Sequence, residues 1–421
     1  MENILRAVKK LIPFNVFRAL QPAYHYVFAL LAAIVYRFPS RRIKIITITG
    51  TKGKTSTAEI VNAILEEAGY STALAGTLRF KIGNIEERNE YKMTIPGRFF
   101  VQRFLRRAVN AKCDWVVLEM TSEGAKQFRH KFINFDAFIF TNLSPEHIES
   151  HGSFEKYKDA KLSIARALAS SPKRPRIIIA NGDDQYAREF LAVDSETKTT
   201  YSLKDAEPYT LEKDKTTFNF MGSPLQADIS GAFNLSNMLA GISFGRTIGV
   251  TPEVIRRALE KFHGIRGRVE RVNEGQDFDV IVDYAHTADS LEKVYEVFQD
   301  SRKICVLGGT GGGRDSWKRP VMGTIASAHC DEIILTDEDP YDEDPQKIVS
   351  EIMAGIEGGR AKIIMDRREA IAFALKKAET GDAVIITGKG TDPFICGPNG
   401  TKTQWDDATV AREELAKLLK K

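Results

Sequence analysis

At 421 residues the chain exceeds what one hydrophobic core organises, so two or three domains are expected. With 43% hydrophobic and 28% charged residues it has the composition of a soluble globular protein, and a net charge of +4 is too small to argue for a nucleic-acid partner. The four cysteines, Cys113, Cys305, Cys330 and Cys396, are scattered with no CxxC pair, which predicts reduced, mostly buried thiols and neither a metal site nor a disulfide set.

Charge is uneven at the start of the chain. Over residues 1–42 and the first strand, Arg6, Lys9, Lys10, Arg18, Arg37, Arg41, Arg42 and Lys44 are opposed only by Glu2. Between these basic flanks, 24–36 is apolar apart from His25, which is shorter than the roughly 20 residues a membrane span needs. The favoured reading of 1–42 is a helical segment packed on the first domain. The alternative is a basic, aromatic helix in peripheral contact with the inner membrane surface.

Residues 45–56 read IITITGTKGKTS: a β-branched apolar run, a glycine turn at Gly50, Thr51, Lys52 and Gly53, and then a helical pattern opened by Lys54, Thr55 and Ser56. Glycines let backbone N–H groups turn toward an anion, the helix N-terminus adds positive potential, Lys54 supplies a mobile cation and Thr55 a hydroxyl for Mg2+. The full phosphate-loop pattern has a glycine five residues before Gly53; here that position is Ile48, so the match is to a shortened form, TGTxGKT. The stretch predicts an ATP site.

Further along, 114–119 is a continuous apolar run that predicts a buried parallel strand with Glu119 at its carboxyl end, beside the phosphate loop, where an acid suits magnesium. A strand at 135–140 delivers TNLSPEH, followed by a helix with Tyr157 and Lys161. Residues 177–180 form another strand, 183–230 read as mixed β structure, and a helix opens at GAFNLSNMLAG. From 265 the pattern restarts, with strands at 280–287, 303–307, 332–336, 362–365 and 383–387 alternating with helices and glycine loops at 308–313 and 388–390. The fold class expected is α/β: a helical N-terminal segment (1–42), a central P-loop ATPase-like doubly wound domain (43–266) and a C-terminal Rossmann-like α/β domain (267–421).

In this order and spacing, TGTKGKTST, the Glu119 segment, FTNLSPEHIESHG, GAFNLSNMLAG, IRGRVERV, VDYAHTADSLEKV, GGGRDSWKRPVMG, DEDPYDEDP, GKGTDP and WDDATVARE resemble the Mur ligase family, in its tripeptide-synthetase branch, over 43–421. The resemblance implies an ATP- and Mg2+-dependent ligase that activates a carboxylate as an acyl phosphate and joins an amino acid to a muramyl-peptide acceptor in peptidoglycan synthesis, in the cytoplasm. It implies that Thr55 and Glu119 hold magnesium, that His147 holds a second magnesium, and that Lys161 carries a carbamate, an anionic ligand where a free ammonium would repel the ion. Asn234 is implied at adenine, Arg268 at the phosphates and Asp283 at the ribose. Thr94, Ser122 and Arg129 are assigned to the acceptor, and Arg314, Asp339, Tyr341, Gly388 and Asp392 to the amino acid; Lys54 is placed at the transferred phosphate.

Three departures modify those expectations. The family's uridine-nucleotide domain has no counterpart in 1–42. The acceptor turn reads Thr94-Ile95-Pro96, and the segment after Glu119 reads Thr121-Ser122-Glu123, so the acceptor is expected on either UDP or lipid. The loop that selects the amino acid reads Glu338-Asp339-Pro340-Tyr341, whose acids predict a cationic side chain such as lysine over diaminopimelate. The rival functions are another amide ligase of this fold, of the folylpolyglutamate or poly-amino-acid synthetase type, and a regulatory ATPase that no longer ligates.

Overall fold

A computed structural model describes residues 14–146, 148–313 and 316–420, with side chains of the first helix described from residue 20. His147, Arg314 and Asp315 lie outside the described residues, as do 1–13 with Arg6, Lys9 and Lys10. The chain divides into two compact units, one of 1–146, 154–202 and 240–255, the other of 147–153, 203–239 and 256–421.

The first unit is built on an eight-stranded sheet. Its strands are β1 (Lys44–Thr49), β2 (Thr72–Ala75), β3 (Arg79–Ile82), β4 (Ile85–Arg88), β5 (Trp115–Glu119), β6 (Ala137–Phe140), β7 (Ile177–Asn181) and β8 (Thr197–Tyr201). Their spatial order is β4-β3-β2-β5-β1-β6-β7-β8. From β2 to β8 all pairings are parallel, and β1 sits centrally between β5 and β6 with Ile48 opposite Glu119. Strands buried on both faces need continuous apolar runs, which β1, β5, β6 and β7 supply. The antiparallel hairpin β3–β4 forms one margin, and all four residues of β4 are exposed.

The first described helix, Phe14–Val35, turns Ala29, Ala32, Ala33 and His25 inward. Arg98 on the helix Arg98–Asn110 bonds the His25 ring, and Arg106 donates to the carbonyls of Tyr36 (2.8 Å) and Arg37 (3.1 Å). The helix therefore packs on the first unit, and no helix among the described residues is long and apolar enough to cross a membrane.

In the second unit a three-stranded antiparallel sheet, β9 (Tyr209–Leu211), β10 (Thr216–Phe220) and β11 (Ser223–Ala227), accompanies a six-stranded one. The latter holds β12 (Glu270–Arg271), β13 (Asp279–Asp283), β14 (Lys303–Leu307), β15 (Glu332–Leu335), β16 (Lys362–Ile363) and β17 (Ala383–Thr387), ordered β12-β13-β17-β14-β15-β16. Only β12 runs antiparallel. One interior feature departs from the expectation of free thiols: Cys305 on β14 and Cys330 at the end of the helix Lys318–His329 are disulfide-bonded. Twenty-five residues separate them, and only the fold brings them together. Cys113 and Cys396 are free and buried.

Candidate active site

The glycine turn after β1 is held from several sides. Gly53 adopts φ 78°, the left-handed conformation that starts the helix Lys54–Glu67. At Gly50 an added Cβ would lie 1.9 Å from Thr141 Oγ1, so only glycine fits against that hydroxyl. The loop after β6 braces the turn: the Thr51 N–H donates to the Asn142 carbonyl (2.8 Å), the Lys52 N–H to Asn142 Oδ1 (2.8 Å), and Thr141 Oγ1 to the Lys52 carbonyl (2.7 Å). Thr51 Oγ1 shares a hydrogen bond with the Tyr157 hydroxyl at 2.9 Å, and Lys52 pairs with Glu146 at 3.2 Å. Lys54 folds back on the turn, donating to the carbonyls of Gly50 (3.0 Å) and Thr51 (2.8 Å).

Two predicted cation ligands meet at the carboxyl ends of β1 and β5. Thr55 Oγ1 donates to Glu119 Oε1 at 3.0 Å, both residues being buried. Glu119 is further held by Thr77, whose N–H donates to Oε2 (2.7 Å) and whose hydroxyl donates to Oε1 (2.9 Å). The Thr77 hydroxyl also shares a hydrogen bond of 2.9 Å with Thr94. One carboxylate thus gathers Thr55 directly and Thr94 through Thr77. Sequence reasoning passed over Thr77; the available signal was its place just past β2, on the rim where the other strands deliver their site residues.

Lys161, on the helix Phe154–Ala169, is buried and donates to the Gly50 carbonyl at 2.6 Å. Burial, with the positive charges of Lys54 and Lys52 nearby, drives its pKa well below the usual lysine value against the weaker pull of Glu146. A buried lysine so placed favours the neutral amine, the form that reacts with CO2. Among the described residues no three His, Cys, Asp or Glu side chains cluster to hold a metal. The donors present are a hydroxyl and a carboxylate 3.0 Å apart, with an amine on the same turn. Oxygen donors of this type suit Mg2+, and the amine could join them only as its carbamate.

On the same unit, Arg129 lies against the segment Thr94-Ile95-Pro96. It bonds the Ile95 carbonyl and donates to Gln127 Oε1 at 2.8 Å. Burial, then the charge of Arg98, lowers its pKa to about 10, against Glu123. Ser122 is buried at the start of the helix Ser122–Lys126, and Ser56 is buried in the helix that follows the glycine turn.

In the second unit, Asp283 at the end of β13 accepts the N–H groups of Val269 (2.7 Å) and Ala285 (2.6 Å). Arg268 lies over the Tyr284 ring at 4.4 Å. Asn234 is buried in the helix Ala232–Thr247 and donates to the Ser230 carbonyl at 2.9 Å. The loop after β15 meets the loop after β17 at a buried lysine. Lys389 Nζ reaches Asp339 (2.9 Å), Asp392 (3.2 Å) and the Phe394 carbonyl (2.6 Å), and Asp339 also accepts the Cys396 N–H at 2.7 Å. Tyr341, at φ 53°, donates its N–H to the Cys396 carbonyl at 2.9 Å. Gly388 has φ 105°, and an added Cβ would meet Glu338 Oε2 at 2.4 Å.

These contacts change the sequence argument about the loop's acids. Lys389 offsets Asp339, and Arg319 takes Glu343 at 2.9 Å and Glu351 at 2.6 Å. Glu338 is buried with Oε2 unpartnered; burial, and then the charge of Asp339, raises its pKa. Of the two acids on which the expectation of a cationic amino acid rests, Asp339 is paired from within and Glu338 is not.

Comparison with known proteins accords with this geometry. The Mur ligase middle domain matches 48–245, and the Mur ligase glutamate ligase domain matches 267–390. The chain is 37% identical to the UDP-N-acetylmuramoyl-L-alanyl-D-glutamate--2,6-diaminopimelate ligase of Syntrophomonas wolfei over 92% of its own length and 81% of the relative's. It is 37% identical, with the same coverages, to the UDP-N-acetylmuramyl-tripeptide synthetase of a Roseiflexus species. A solved diaminopimelate ligase superposes with a TM-score of 0.62 at 27% identity, covering 90% of this chain and 79% of that one. A Mycobacterium tuberculosis folylpolyglutamate synthase superposes with a TM-score of 0.68 at 15% identity, over 92% of this chain and 94% of that one, a likeness of fold alone. The chain belongs to the Mur ligase family.

Proposed function

We propose that this protein is an ATP-dependent acid–amino-acid ligase that extends a muramyl-peptide-type acceptor, carried on UDP or on lipid, in peptidoglycan precursor synthesis. The observation that carries the proposal is that Lys54 and the buried amine of Lys161 both donate to the Gly50 carbonyl, at 3.0 and 2.6 Å, while Thr55, next to Lys54, donates to Glu119 at 3.0 Å.

The acceptor carboxylate is a poor electrophile. Its oxygen takes the γ-phosphoryl group of ATP and ADP departs; the amine nitrogen of the amino acid then attacks the acyl phosphate, phosphate leaves, and the nitrogen gives up a proton as the amide forms. With little covalent chemistry left to the protein, positioning and charge neutralisation dominate. The N–H groups at the start of the helix Lys54–Glu67 and the Lys54 ammonium bind phosphate oxygens. Thr55, Glu119 and, as its carbamate, Lys161 would hold Mg2+, with His147 as a ligand of a second magnesium. When bound, the ion neutralises developing phosphate charge. Thr94, Ser122 and Arg129 shape the acceptor side. Asn234, Arg268 and Asp283 serve the nucleotide, and Arg314, Asp339, Tyr341, Gly388 and Asp392 the amino acid.

The test is incubation with ATP, Mg2+, a panel of amino acids including lysine and diaminopimelate, and a muramyl dipeptide on UDP or on lipid, read by mass spectrometry with phosphate release in parallel. The ligase reading expects phosphate only when acceptor and amino acid are both present. Phosphate released without either would assign a plain ATPase.

A further inference from the structure

We propose that the outward face of the helix Phe14–Val35 docks this protein on an anionic phospholipid surface. A helix on the outside of a water-soluble domain normally turns its apolar stripe inward and its polar side to solvent. Here the packed side is made of small residues, Ala29, Ala32 and Ala33, and the large apolar ones face out. Leu20, Tyr24, Val27, Leu31 and Ile34 recur every three or four residues along a single stripe, and all are exposed, Ile34 at 52% and Leu20 at 58%. Phe28 extends the stripe sideways to the exposed Phe99 of the neighbouring helix. A contiguous apolar surface of this kind on a soluble domain marks an interaction site.

The charge around the stripe selects the partner. No acidic residue occurs between Glu2 and Glu59. Beyond the end of the helix, Val35, Tyr36, Arg37, Arg42, Arg106 and Asn110 line a cleft of about 350 Å³. Arg106 is occupied with the Tyr36 and Arg37 carbonyls. Arg37 and Arg42 are exposed, and among the described residues neither side chain makes an ion pair. Arg41 rests on Phe38 and Arg103 on Phe100, both exposed, while Arg107 approaches Glu87 at 3.9 Å. An apolar stripe continuous with a cluster of arginines, on a helix that does not span a bilayer, is the pattern of a helix lying in the interface plane. Its apolar side enters the acyl boundary and its arginines meet headgroup phosphates.

The inference is independent of the ligase assignment, and its test reads binding alone. The purified full chain is sedimented with vesicles of phosphatidylcholine containing phosphatidylglycerol, and with vesicles of phosphatidylcholine alone. Binding to the anionic vesicles is expected, weakening with salt. Val27→Glu/Leu31→Glu, both at exposed positions, should abolish it without changing the melting temperature. Arg37→Ala and Arg42→Ala should each weaken it about fivefold. Absence of binding, or binding indifferent to Val27→Glu/Leu31→Glu, overturns the proposal. So does a wild-type dimer that this double variant converts to monomer, which would give the face to a second copy of the chain.

Discussion

Thr77→Val tests whether the hydroxyl string on Glu119 shapes metal use. The substitution removes the 2.9 Å bonds from Thr77 to Glu119 and Thr94, and leaves the 2.7 Å backbone donation intact. A hydrogen bond to a charged group contributes about 1.5–3 kcal/mol, and because Thr77 is half-buried, water recovers part of this, so about 1.5 kcal/mol of stability should be lost. Partners that orient a metal ligand typically carry 10–100-fold in metal affinity, so the Mg2+ concentration for half-maximal ligation should rise by about that factor. The assay is acceptor-dependent phosphate release against Mg2+ concentration, with melting measured in parallel. Thr77→Ser should restore the wild-type profile. A Thr77→Val enzyme with unchanged Mg2+ dependence would refute the argument that Thr77 positions Glu119.

Lys161→Ala should lose ligation and recover part of it with an added short-chain carboxylate; wild-type enzyme in 13C-labelled bicarbonate should show a carbamate carbon that the variant lacks, and unchanged turnover in Lys161→Ala would exclude the role. Gly50→Ala places a methyl 1.9 Å from Thr141 Oγ1; at the 1–3 kcal/mol that overpacking costs, ATP affinity measured by titration should fall about tenfold or more. Burial lowers the pKa of His130 to about 3, with Lys131 adding to the effect. From about 6.5 down to about 3 the unfolded chain therefore takes a proton that the folded one refuses, so stability falls as pH falls, by up to about 1.4 kcal/mol per unit. Denaturant melts of His130→Phe should show a shallower slope over that window. Arg367→Met strands the buried Asp407, now held at 2.7 and 2.8 Å, and should cost about 3–5 kcal/mol in chemical denaturation.

What was legible in the sequence was whatever leaves a local signature. Strands β1, β5, β6, β7, β14, β15 and β17 are short apolar runs, and each falls within a residue or two of its expected place, whereas β13 ends at Asp283, four residues before the expected end. The hairpin β3–β4 escaped because its strands are four residues each: β3 alternates only through Phe80 and Ile82, and β4, with all four residues exposed, shows no apolar period. In the site, Lys54, Thr55 and Glu119 could be singled out from their fixed offsets to strand ends, whereas Lys161, in the middle of a helix, was named through the family resemblance alone. Thr77 was not legible, since its role comes from a partner 42 residues away. Nor was the offsetting of Asp339 by Lys389, fifty residues on, or of Glu343 by Arg319. The Cys305–Cys330 pairing belongs to the same class of long-range fact.

The outermost strand of the large sheet bears on the protein's behaviour at high concentration. A strand with one side unpaired offers its amides and carbonyls to any passing chain, the usual seed of ribbon-like aggregates. On β4 that invitation is spoiled by Glu86, Glu87 and Arg88: an antiparallel newcomer would have to bring its own charges into register, and a parallel copy would align like with like. Neutralising those three side chains should leave the catalytic centre untouched while making the enzyme prone to fibrous precipitation.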